Sequence, residues 1–207
     1  VAIKVLRPEV AASLGAELLI GALYQAHGFF VGRGANADEW RWSADVLRAA
    51  GEHARACGVG LGLEFLNRFE VFLINTSADA QRMVRDVGLD EVGILYDTHH
   101  ANIEEPSPGE ALPAVRGELL HVHLSESHRG TLGTGQVDWS ATFAALARIG
   151  YEGWLVGEAF GTADPALATA AHVWRNAFES EEQLARDAIA CVRARAHPPM
   201  RGDPANG

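Results

Sequence analysis

Glu64, Asp97, His123 and Glu158 are the residues of this chain best suited to shared chemistry. Each stands at or near the C-terminal end of a short apolar run: VGLGLEF (59–65), VGILY (92–96), LLHVHL (119–124) and WLVG (154–157). Carboxylates and an imidazole form a mixed oxygen and nitrogen donor set. Such a set suits Mn²⁺, Co²⁺ or Mg²⁺ and disfavours metals that prefer thiolates. Zn²⁺ binds the same groups. Taken singly, none of these residues says much, because an Asp after a strand commonly caps a helix and an inward His is commonly a satisfied core residue. On successive strand ends, together, they read as one shared cation site.

The positioning elements follow from the spacing. Short apolar runs alternate with longer amphipathic stretches, which predicts an α/β fold of parallel strands joined by helical crossovers. LLIGAL (18–23) is a further strand. Asp38 is the expected N-cap of a helix reaching about Cys57, with Val46, Leu47 and Ala50 at helical spacing and Gly58 as its stop. Asn75 and Thr76 lead into a helix over 77–87 that Gly88 ends, and 139–149 is a helix ending at Gly150. A last helical stretch covers about 165–196 with a break near Phe178, followed by a loose Pro/Gly-rich tail over 198–207. Reactive residues at strand C-termini are the layout of an α/β barrel's active face. Five strands are visible where a closed barrel has eight.

The words around the four residues carry more. GLEFLNRFEVFLINT (62–76), YDTHHANIEE (96–105), HVHLSESHRGTLGTG (121–135) and YEGWLVGEAF (151–160) together resemble the ketose 3-epimerases, the D-tagatose, D-psicose and L-ribulose group of the xylose isomerase-like (β/α)8 TIM barrels. The resemblance runs from about Gly15 to the last helix, and implies a partial barrel over 1–197 covering roughly the last five βα units. It implies that Glu64, Asp97, His123 and Glu158 hold one divalent metal ion, that Glu64 and Glu158 are the acid/base pair, and that Glu70, His100 and Arg129 contact the sugar's oxygens. The implied reaction inverts C3 of a free ketose through an enediolate. One carboxylate removes the carbon-bound proton, another returns one on the opposite face, and Arg129 offers a planar fork to oxygens. A hydroxypyruvate or other sugar isomerase, and a catalytically silent metal-binding fragment, are the alternatives.

Other residues invite plainer assignments. Glu70 could pair with Arg68 or Arg82 at the surface. His121 shares the strand face of His123 and reads as a core or supporting residue, while His99 is expected to point away. Glu104 and Glu105 read as a solvated loop that could cap a helix, and Trp40, Trp42, Trp139, Trp154 and Trp174 as packing residues. Tyr24 and His27 could line the pocket. The 207 residues carry 48% hydrophobic and 21% charged side chains and a formal charge of −10, which argues for one globular unit and against nucleic acid as a partner. A DNA-repair nuclease on the same barrel is disfavoured for that reason. Cys57 and Cys191 suggest reduced thiols and a cytoplasmic protein, and nothing reads as a spanning helix. The chain opens on Val1 with a segment that reads as a helix under way. It is therefore expected to be the later part of a longer protein, a homo-oligomer when complete and weakly active alone.

Overall fold

The computed structural model describes residues 7–196; the tail expected over 198–207 and the first residues of the opening helix lie outside them. Helix α1 (Pro8–Ser13) precedes β1 (Leu18–Gly21). Helix α2 (Ala37–Ala56) begins two residues earlier than an N-cap at Asp38 would allow, because Asn36 is the cap. Asn36 Oδ1 accepts from Glu39 N at 2.8 Å and Glu39 Oε2 accepts from Asn36 N at 2.9 Å, a reciprocal box that Asp38 cannot form. Strand β2 (Gly60–Glu64) leads through a long loop to α3 (Ser77–Val87), which Thr76 caps and Gly88 ends at φ 68°. Strand β3 (Val92–Asp97) runs directly into α4 (Thr98–Glu104), then α5 (Pro108–Ala114), neither foreseen from periodicity. Strand β4 (Leu119–Ser125), α6 (Trp139–Ile149) and β5 (Leu155–Glu158) follow. The last helical stretch is two helices, α7 (Pro165–Ala170) and α8 (Glu181–Ala196), and the ten-residue break between them contains Phe178, as expected.

All strand pairs are parallel and the sheet order is β1-β2-β3-β4-β5, the order of the chain. One face packs on the helices through Leu61, Leu63, Ile94 and Tyr96, all fully buried. The other face carries Glu64, Asp97 and His123. Its register holds one irregularity. Ile94 pairs with Leu119, yet Leu95 pairs with His121, so Leu120 is an extra residue in β4. Gly93 makes room for it: a Cβ there would lie 2.6 Å from the Glu118 carbonyl and collide with the Leu120 side chain. Were Leu120 paired in a regular register instead, Asp97 would sit opposite Val122, and His123 would turn toward the helices.

Several expectations are corrected here. Trp42, Trp154 and Trp174 are 58%, 70% and 71% exposed, so they do not fill a core; Trp139 alone of the five is fully packed. Trp40 donates to Asp86 Oδ2 at 2.7 Å and lies under the Arg82 guanidinium. Glu104 is no solvated residue, since its side chain is 5% exposed in a forked pair with Arg68. Glu105 Oε1 accepts from Ser77 N at 2.6 Å and so caps α3.

Candidate metal centre

Strand register explains how the four residues meet. Asp97 is level with His123, Leu95 with Glu64, and Val156 with His123, so each ligand is offset from the next by none or two residues. Even offsets keep all four side chains on one face. One donor atom of each lies within 4.8 Å of the others. The His123 Nδ1 atom is 3.4 Å from Glu158 Oε1 and 3.8 Å from both Glu64 Oε1 and Asp97 Oδ2. It is buried and has no hydrogen-bond partner, a costly arrangement for an imidazole unless a ligand uses that nitrogen.

Asp97 divides its oxygens between two tasks. Oδ1 accepts from His99 N at 2.6 Å and His100 N at 3.2 Å, capping α4. Those bonds aim Oδ2 at the cluster. Around it, Arg129 Nη1 donates to Asp97 Oδ2 at 3.2 Å, to Ser125 Oγ at 2.9 Å and to Glu158 Oε2. His100 Nδ1 receives Asn67 N at 3.1 Å. Glu70 does not pair with Arg68 or Arg82; Oε1 accepts from Asn67 Nδ2 at 2.8 Å and Oε2 meets His27 Nε2 at 3.0 Å. His27, Glu70 and Arg129 thus edge a cleft of about 250 Å³ over the cluster. Tyr24 is instead a buried strut, its hydroxyl donating to the Ile74 carbonyl at 3.1 Å.

The carboxyls differ in charge. Burial, then the charges of Asp97 and Glu158, push Glu64 well above the usual carboxylate range. Burial also acts to raise Glu158, but the adjacent His123 ring and the Arg129 charge outweigh it and hold it down at about 2. Burial holds His100 neutral, with its pKa down to about 3 and Arg129 reinforcing the shift. The donor set, the inward Asp97 oxygen and the orphaned His123 nitrogen fit a divalent cation.

The sequence pattern described as the xylose isomerase-like TIM barrel matches residues 7–195. This chain belongs to that family. Within it, L-ribulose 3-epimerase of Mesorhizobium japonicum is 38% identical over 181 residues, 86% of this chain and 61% of the relative. Ketose 3-epimerase of Arthrobacter globiformis is 36% identical over 187 residues, 89% of this chain and 64% of the relative. The crystal structure of D-allulose 3-epimerase from Methylomonas sp. in complex with D-allulose superposes with a TM-score of 0.87 at 33% identity, covering 91% of this chain and 66% of that one. The chain thus spans a little under two thirds of these relatives, as a partial (β/α)8 barrel. The family resemblance read from the sequence is shown.

The structure draws Glu70, His100 and Arg129 to the same cluster as the four expected ligands. Sequence reasoning missed others. His99 does not simply point away: its Nδ1 is 3.2 Å from the Glu126 carbonyl, and the ring shares a second close group with Glu70 and His100. Glu126 is fully buried, and its carboxylate accepts from Ser127 N, Gly133 N, Val137 N and Trp139 Nε1. No periodic signal marks it, although GTLGTG, crowded with turn residues after it, signals a loop that needs an anchor.

Proposed function

We propose that this chain carries the site of a metal-dependent ketose 3-epimerase. Glu64, Asp97, His123 and Glu158 hold one divalent ion, Mn²⁺, Co²⁺ or Mg²⁺ by donor chemistry. When bound, that ion supplies Lewis acidity toward the sugar oxygens beside the reacting carbon. The remaining work belongs to side chains. Epimerisation at C3 needs a base on one face of the sugar and an acid on the other. Glu64 on β2 and Glu158 on β5 stand at opposite ends of the ligand set. Their environments push their pKa values apart, Glu64 upward and Glu158 downward. Either carboxylate takes the C3 proton, leaving an enediolate, and the other, protonated from solvent, returns one from the opposite face.

Three further residues bind and orient. With Asn67 N–H directed at Nδ1, the neutral His100 ring carries its hydrogen on Nε2 and donates it to a sugar oxygen. Arg129 offers its fork, and Glu70, pinned by Asn67 and His27, accepts from a hydroxyl. The observation that carries this reading is the convergence of the four donor atoms within 4.8 Å of one another. Similarity to an L-ribulose 3-epimerase, a ketose 3-epimerase and a D-allulose 3-epimerase supports a free ketose as substrate. Both cysteines are free, which supports a cytoplasmic setting, and homo-oligomer formation is checked by light scattering. Incubation with Mn²⁺ and fructose, tagatose or ribulose in D₂O is the test. Deuterium at C3 is the expected result; no exchange into any of the three ketoses overturns the proposal.

A further inference from the structure

Arg129 is engaged with the metal centre itself. Its Nη1 donates to Asp97 Oδ2, Ser125 Oγ and Glu158 Oε2, so it uses carboxylates from the donor set. The other arm, Nη2, lies 3.0 Å from His100 Nε2. That contact is the weak one. The Asn67 N–H is a fixed donor 3.1 Å from His100 Nδ1, and a neutral imidazole has one acceptor nitrogen. Nε2 therefore carries hydrogen and faces another donor. What holds the guanidinium is Asp97, Glu158 and Ser125.

The backbone below it is fixed. Arg129 takes the left-handed conformation at φ 60°, rare for a side-chain-bearing residue. Its N–H donates to the Glu126 carbonyl at 2.9 Å, and its carbonyl accepts from Phe160 N at 2.9 Å. The buried Glu126 carboxylate gathers three loop N–H groups and the Trp139 indole around the same turn. With the carboxyls of Glu64, Asp97 and Glu158 ionised and His123 neutral, as ligation requires, the centre carries three negative charges. The guanidinium reduces that to two, the charge a divalent ion cancels.

We propose that Arg129 is a resident counter-cation of the centre, held by the Glu126-pinned turn, which competes with a divalent ion for the Asp97 and Glu158 oxygens and so weakens metal affinity. This rests on the metal-binding part of the proposed function and not on its sugar chemistry.

Calorimetric titration with Mn²⁺ alone tests it on the parent chain, R129Q, R129K, E126Q and R129Q/E126Q, with circular dichroism to check folding. Removing the like charge is expected to tighten Mn²⁺ binding roughly ten- to a hundredfold in R129Q. R129K retains the charge and stays near the parent. E126Q turns an amide toward loop N–H groups, loosens the turn and tightens binding by less than R129Q; the double variant binds no tighter than R129Q. Unchanged or weaker Mn²⁺ affinity in R129Q overturns the inference. Should R129Q not fold, the same result in E126Q does so. Absence of Mn²⁺ binding in every variant overturns the centre and the inference together. Tightening in R129Q, with no deuterium entering any ketose in the parent, supports the counter-cation and counts against the epimerase alone.

Discussion

Asp97 shows how a single side chain can serve a helix cap with one oxygen and a candidate metal site with the other. Because Oδ1 caps α4 while Oδ2 faces the cluster, Asp97→Asn keeps an acceptor for the cap and removes the charge. Mn²⁺ affinity in that variant is expected to fall at least about tenfold, with the melting temperature in chelator unchanged. Asp97→Ala, by contrast, also loses about 1 kcal/mol of capping energy, read by urea denaturation. Glu64 gives a pH signature. Its folded pKa is raised above the ordinary 4.5, so it favours the folded state fully below that value, and the benefit is lost as pH rises through the folded value. Glu158 acts oppositely: its benefit is present above 4.5 and lost as pH falls through about 2. In chelator, the parent's melting temperature should therefore decline with rising pH more steeply than that of Glu64→Gln, and Mn²⁺ binding should release a proton in the parent only. Equal slopes in melts of the two proteins would refute the assignment. At this scale the sequence was informative where a residue's type limits its uses, as with three acids and a histidine on strand ends. It was silent on Glu126 and Asn67, whose importance lies in the backbone groups that happen to surround them.

Among the elements, β4 is the most delicately set. Gly93 admits Leu120, and Leu120 is the additional residue that returns His121 and His123 to the inner face. Gly93→Ala should cost about 3 kcal/mol by overpacking. It should also weaken Mn²⁺ binding, because the register that brings His123 beside Asp97 is under strain. Leu120→Ala in the same background should recover part of the stability, measured by denaturant midpoint. The strands themselves were legible, since each is a run of apolar residues ending at a chemically distinct one. Their ends were read to within two residues: LLIGAL contributes only Leu18–Gly21, with Ala22 and Leu23 packing in the loop instead, while β3 and β4 each run one residue beyond VGILY and LLHVHL. The bulge was illegible because a one-residue surplus changes pairing without changing composition. Helices α4 and α5 were missed for a related reason. They span 7 residues each, too short for a repeat of apolar positions to register.

Across the whole molecule, the donors come from four different βα units, so a bound ion ties together segments that otherwise meet only through neighbouring strands. Mn²⁺ at about a hundredfold excess over its dissociation constant should stabilise the fold by about 2.7 kcal/mol, and His123→Ala should abolish the shift. A thermal melt with and without chelator reads this directly. That the sheet follows chain order was foreseeable from right-handed crossovers, which place each new strand beside the last. The same order gives the centre a place in time. A ribosome delivers Glu64 first, then Asp97 and His123, and Glu158 only with β5, which pairs with β4. A nascent chain arrested before that strand holds an incomplete set of donors and should respond weakly to Mn²⁺, whereas one released after it should become protease-resistant on adding the ion. On the proposed function, metal capture is then a late event in the life of the chain, a check that synthesis has passed Glu158 and that every preceding strand has found its register.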